Sequence, residues 1–221
     1  DPSKNCIQIQ ELDSTFNFIF VGEFVERKNI EALAKAFHME FDLYEPVNLV
    51  IKTSKVDMDT ARQYLQDIKT KLKIKKTYKN EIFMIGMMEK DQYISLLNKC
   101  NCFVMPSRGE AFCIPALEAM MLGLPVIHTK HTGMDDFCVG ESVDSLSVPC
   151  FNAMSTIFNL DTAQSDWQEI DLKKLCSTMR RVYLKWNSGE AVAMSSAARD
   201  NAKKYDNKSI GVLLKGLLND G

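Results

Sequence analysis

No apolar run in this chain of 221 residues approaches the roughly 18 residues that a membrane-spanning helix needs. No signal peptide opens it either. The chain begins Asp1-Pro2-Ser3-Lys4, without a start methionine, and reads as a piece of a longer protein. The formal net charge is only −2, so nothing draws the whole molecule toward nucleic acid or an anionic membrane. Metal-ligand spacing is missing as well. There are three histidines, and His128 and His131 bracket an expected strand end with no cysteine or acidic pattern beside them. Cys100 and Cys102 stand too close together, and too far from any second pair, for a zinc site. Repeats and low-complexity segments are absent too.

Cysteine itself is not scarce. Seven are present, an odd number, mostly inside apolar stretches such as Asn101-Cys102-Phe103-Val104. That usage reads as reduced, buried thiols and a cytoplasmic location. Hydrophobic residues make up 46% and charged residues 25%, an ordinary balance for a globular chain able to bury a full core. The basic run from Lys69 to Lys76 reads as the solvated end of a helix.

Strands and helices alternate. Strand-like runs are Phe16 to Val21, Val47 to Ile51, Ile82 to Ile85, Cys102 to Met105 and Pro125 to His128, with a sixth expected at Ser145 to Val148. Helical spacing follows Ile30, Asp57, Lys90 and Pro115. Apolar strands separated by helices imply a three-layer α/β/α, Rossmann-like domain with a parallel sheet of about six strands. The expected division is a linker remnant over 1–15, the sheet domain over 16–170 and C-terminal helices over 171–221. A long loop is expected from Phe151 to Gln168. Gly22, Gly86, the segment 106–113 and the segment 128–133 all fall at carboxyl ends of strands, where such sheets bind ligands.

The segment Pro106 to Met120 is the most informative. A loop there runs into a helix with Pro115 at its first position. The backbone N–H groups of Phe112, Cys113 and Ile114 are then free to form an anion site. Glu118 lies one turn beyond Ile114, and Glu110 precedes the loop. Two carboxylates beside an anion site suit a ligand with both phosphate and hydroxyl groups, which a sugar nucleotide has. On spacing alone a plainer reading stays open: Glu118 as a helix-start acid and Glu110 as a solvated loop residue.

The segment also resembles retaining glycosyltransferases of family 4, which have the GT-B fold. Glu110 and Glu118 match that family's E-x7-E motif, with Pro106-Ser107 before them and Gly123-Leu124-Pro125-Val126-Ile127 after. The resemblance implies that Glu118 holds ribose and that Glu110 holds the donor sugar. It also implies that Ala111, Phe112, Cys113 and Ile114 line sugar and diphosphate. The segment from Phe20 to Asn29 resembles the family's G-R-x4-K pattern, which makes Gly22 and Lys28 donor-binding and Lys28 the neutraliser of the leaving diphosphate. Gly86-Met87 falls where the family contacts the base. Glu110 and Lys28 are therefore the expected catalytic residues.

Two departures stand out. Glu23 occupies the arginine position, for which Arg27 is the candidate substitute, and Ala111 and Cys113 replace family glycines. The resemblance implies the C-terminal half of a GT-B enzyme that transfers a sugar from a nucleoside-diphosphate donor. It further implies no metal or cofactor, and a missing N-terminal acceptor half through which any membrane contact would be made. Glu23, Ala111 and Cys113 keep a second reading open: a binding module that retains the fold without the chemistry.

Overall fold

A computed structural model describes residues 10–74, 77–150 and 166–219. Most of the expected linker and of the expected 151–168 loop lie outside these residues. Six parallel strands form the main sheet: β1 (Phe16–Val21), β2 (Val47–Thr53), β3 (Ile82–Ile85), β4 (Cys102–Met105), β5 (Val126–Thr129) and β6 (Gly140–Val143). Their spatial order is β3-β2-β1-β4-β5-β6. The central strands are buried on both faces because helices cover both, which explains their unbroken apolar runs.

Helices α1 (Ile30–Glu40), α2 (Met58–Leu72), α3 (Lys90–Asn98) and α4 (Ile114–Met121) connect the strands. Asn29 and Asp57 cap α1 and α2 by accepting from Ala32 N and Thr60 N. The contact between β1 and β4 is fixed by one buried polar side chain. Asn17 Nδ2 donates to Lys99 O at 2.7 Å, and Asn17 N donates to Asn101 Oδ1 at 2.8 Å. A buried amide left without these partners would cost free energy, so the pairing register is specified.

Three helices follow the sheet: α5 (Leu172–Asn187), α6 (Ala191–Ala202) and α7 (Asn207–Asn219). Asp171 caps α5, whose Leu175, Met179 and Val182 are buried as it packs on α1. Arg180 lies 4.4 Å from the centroid of the Phe41 ring and bonds Glu40 and Glu45. Helix α6 packs on α4 through the fully buried Ala198 and Ala202. No described helix is long and apolar enough to cross a membrane.

Three sequence expectations are corrected. The sixth sheet strand is Gly140–Val143, not Ser145 to Val148. It is an edge strand that buries little, so its composition carries no strand signal. It starts at a glycine with φ +152°, where a Cβ would lie 2.1 Å from Val126 O. Ser145–Pro149 (β7) instead pairs antiparallel with Asp166–Ile170 (β8), the end of the expected loop, and Leu146 on this ribbon is exposed.

The third correction concerns Lys69, which is buried rather than solvated. Its Nζ lies 3.0 Å from Glu81 Oε2, and His38 Nε2 lies 2.5 Å from Glu81 Oε1. Burial alone would raise the Glu81 carboxyl. The His38 hydrogen bond and the charges of His38 and Lys69 outweigh it and hold the group below its ordinary 4.5. This contribution to stability is present above that value and is lost as pH falls through the lowered one. Glu81→Ala should destabilise the fold by about 3–5 kcal/mol in denaturant unfolding, because it strands a buried lysine. The variant should also lose part of the acid-limb slope of stability against pH.

Candidate functional site

Reversal of strand order between β1 and β4 opens a crevice at their carboxyl ends, since the chain leaving each strand crosses to opposite sides. Two segments meet there. After β1 come Gly22, Glu23 and a 3₁₀ turn, Glu26–Lys28, closed by Asn29 at φ +53°. After β4 comes the loop 106–113. The two are bonded directly, with Arg108 N donating to Arg27 O at 2.8 Å and Arg108 Nη1 donating to Glu26 O at 2.6 Å.

One oxygen gathers the charges. Glu110 Oε1 accepts from Lys28 Nζ and from Arg27 Nη1, both at 2.7 Å, and lies 2.9 Å from the buried Ser107 hydroxyl. The Glu110 side chain is 7% exposed, while Arg27 is 40% exposed and turned to the crevice. Among the described residues nothing bonds Glu110 Oε2, so that oxygen is left to accept from a ligand. The surrounding cleft has a volume of about 680 Å³ and is lined by Arg27, Lys28 and residues 109–115.

The N–H groups of Phe112, Cys113 and Ile114 make no hydrogen bond among the described residues. They sit at the start of α4, where the helix dipole favours an anion. The helix begins at Ile114, one residue earlier than its proline indicated. Cys113 precedes it at φ +61°, ψ +72°, a left-handed conformation that costs a non-glycine residue about 1 kcal/mol. The strained replacement of glycine is thus Cys113, not Ala111, which lies exposed on the rim. Burial pushes the Cys113 thiol up to about 11, so it is no nucleophile at neutral pH.

Not every expected residue joins the cluster. Gly22 lies beside it: a Cβ there would sit 3.0 Å from the Phe20 ring and 3.6 Å from the Lys28 stem, so the tight packing that favours glycine is against Phe20. Glu23 turns toward β2, accepting from Ser54 Oγ at 2.5 Å and Lys55 N at 3.0 Å. It braces the turn after β2 and does not contact Lys28 or Glu110. Met87 is 91% exposed beyond β3, away from the cleft lining. Glu118 is half-buried below the cleft, beside Tyr93. Burial, and then the charge of Glu118 and hydrogen bonding to it, raise the Tyr93 phenol. Among the described residues no cluster of His, Cys, Asp or Glu could hold a metal ion.

The pattern undervalued three contributors. Ser107, part of the motif's context but given no role there, ties Arg27, Gly109 and Glu110 together. Arg108 Nε reaches Glu169 Oε2 on β8 at 2.6 Å and lies over the Trp167 ring, so the Trp167 to Asp171 stretch supports the site from a strand. Gly133 N donates to Glu110 O at 2.9 Å, and a Cβ on Gly133 would lie 2.0 Å from Ala111 O. No positive φ marks that glycine, so close packing alone requires it. Gly133→Ala should therefore destabilise the chain by about 1–3 kcal/mol in urea unfolding. Iodoacetamide at pH 8 should label Cys113 slowly in the native chain and quickly once it is unfolded, as peptide mass analysis would show.

The family model described as glycosyl transferases group 1 matches residues 5–167. An uncharacterized glycosyltransferase of Methanocaldococcus jannaschii is 30% identical over 149 residues, covering 67% of this chain and 36% of that protein. A sucrose synthase of Melioribacter roseus is 32% identical over 119 residues, covering 48% of this chain and 14% of its own. The matched part of the chain thus spans about a third of the length of the archaeal relative. In fold it is similar to Anabaena Alr3699/HepE, solved in complex with UDP and glucose, with a TM-score of 0.65 at 14% identity over 100% of this chain and 55% of that one. It is also similar to sucrose-phosphate synthase of Thermosynechococcus elongatus, with a TM-score of 0.63 at 18% identity, covering 99% and 51%. Because the family match takes in both segments that meet at the crevice, this chain belongs to the glycosyl transferases group 1 family.

Proposed function

We propose that this chain is the donor-binding half of a retaining, GT-B-type glycosyltransferase of family 4, taking a nucleoside-diphosphate sugar in the cleft between β1 and β4. The observation that carries the reading is the convergence of Lys28, Arg27 and Glu110 beside the three free N–H groups of the 112–114 loop. Cations and amides suit a diphosphate, and the open Oε2 of Glu110 suits a sugar hydroxyl. Glu118 is assigned to the ribose hydroxyls on the resemblance of its motif. The Anabaena protein's complexes with UDP and glucose or UDP-glucose support this ligand class.

Negative charge grows on the diphosphate as the glycosidic bond breaks. Lys28, Arg27 and the loop amides are preorganised to meet it, so the protein itself supplies the stabilisation without a metal ion. Arg27 takes the place left by Glu23, whose carboxylate is committed to the turn after β2. The acceptor would be bound by a second half, in keeping with an archaeal relative of which the matched part makes up only 36%. A hexosyl donor is the expected class.

Calorimetric titration with UDP should show binding that weakens about 10–100-fold in Lys28→Ala, Arg27→Ala and Glu118→Ala, the loss expected for one charge-assisted contact. Glu23→Ala should stay within about twofold, since its partners lie outside the cleft. Undiminished binding in Glu118→Ala, or no binding of any nucleoside diphosphate, would count against the reading and favour a non-catalytic module. The 221-residue chain alone should show no transfer to added acceptors; robust transfer would overturn the two-half assignment.

A further inference from the structure

The donor loop is strained at Cys113 and has few bonds of its own, so something else must hold it in place. The 3₁₀ turn Gly133–Asp136 sits directly behind it. At one end of this turn, Gly133 N donates to Glu110 O at 2.9 Å, and a Cβ on Gly133 would strike Ala111 O. At the other end, the buried Phe137 ring stacks on Phe112, with centroids 4.5 Å apart and planes at 24°. The end of α6 and the 3₁₀ turn Lys203–Tyr205 after it grip that same end. Asn201 Nδ2 donates to Phe137 O at 2.6 Å, and the Tyr205 hydroxyl donates to Asp136 O at 3.2 Å. The Tyr205 ring lies 5.8 Å from Phe137 and 6.0 Å from Phe112, centroid to centroid. Helix α6 is itself anchored, since Arg199 donates to Leu122 O at the end of α4 at 3.1 Å.

Resting on the donor-binding reading above, we propose that Asn201 and Tyr205 are positioning residues for the donor: they fix the turn 133–137, which holds the 110–113 loop and aims its N–H groups. Neither residue contacts the cleft. Their effect passes through Phe137 and Phe112, so it acts on donor affinity through the order of the loop. The end of α6 and the 3₁₀ turn Lys203–Tyr205 after it, about 90 residues downstream in sequence, therefore steady the loop that lines the cleft.

The test uses the full 221-residue chain as wild type, Tyr205→Ala, Tyr205→Phe and Asn201→Ala. Two readouts are taken: the rate of iodoacetamide labelling at Cys113, located by peptide mass, and UDP affinity. Cys102, fully buried in β4, reports general unfolding. Tyr205→Ala and Asn201→Ala are expected to speed Cys113 labelling about fivefold with Cys102 unchanged, and to weaken UDP about fivefold, the loss of one packed hydrogen-bonding contact. Tyr205→Phe, which keeps the ring, should recover most of both. Labelling of Cys113 that stays at the wild-type rate, or rises only in step with Cys102, overturns the proposal. So does unchanged UDP affinity in a chain whose Cys113 has become accessible. A wild type that binds no UDP removes the donor reading alone, and the labelling ratio then decides the brace by itself.

Discussion

Lys28, Arg27 and Glu110 tie the chain leaving β1 to the chain leaving β4, and the crevice depends on that tie. Two cations meet one carboxylate oxygen in a setting where the carboxylate is nearly buried and the arginine still faces solvent. Burying the carboxylate alone would be costly, so the cations are held close. The cations, for their part, are partly neutralised and pinned in place without being removed from the cleft. The arrangement is preorganised: both cations already stand at the mouth of the cleft, held in place by the carboxylate they share.

Around this tie the structure spends strain and close packing on one loop. Cys113 sits in a left-handed conformation that favours glycine, and Gly133 sits where any side chain would strike the Ala111 carbonyl. The two are linked. A strained residue persists only when its surroundings over-determine it, and the Gly133 contact, the Phe112–Phe137 stack and α4 together do so. The negative charge at position 23 is likewise absorbed by a local hydrogen-bond set and not left facing the cleft.

Elements with strong apolar runs were legible from their residues. Strands β1 to β5 and the four connecting helices fall where periodicity and caps place them, and in the four central strands burial on both faces leaves an unmistakable pattern. Segments whose role is not burial were missed. Gly140–Val143 is an edge strand with one buried residue, and Asp166–Ile170 is half of an antiparallel ribbon. Lys69 looked solvated because a lysine in a basic run ordinarily is; its partner Glu81 lies across a strand connection, and only folding brings the two together.

The same division runs through the site. The sequence by itself determined which residues could serve: a lysine after the first strand, two carboxylates with seven residues between them, and a loop entering a helix at a proline. These are local patterns, and local patterns are written in order along the chain. Only the tertiary structure decided how they are shared out. It put Arg27 with Lys28 on one oxygen, turned Glu23 toward β2, left Met87 in solvent and placed Gly133 behind the loop. Each of these outcomes depends on which strands are neighbours, and strand order follows from long-range packing that no short stretch of sequence specifies.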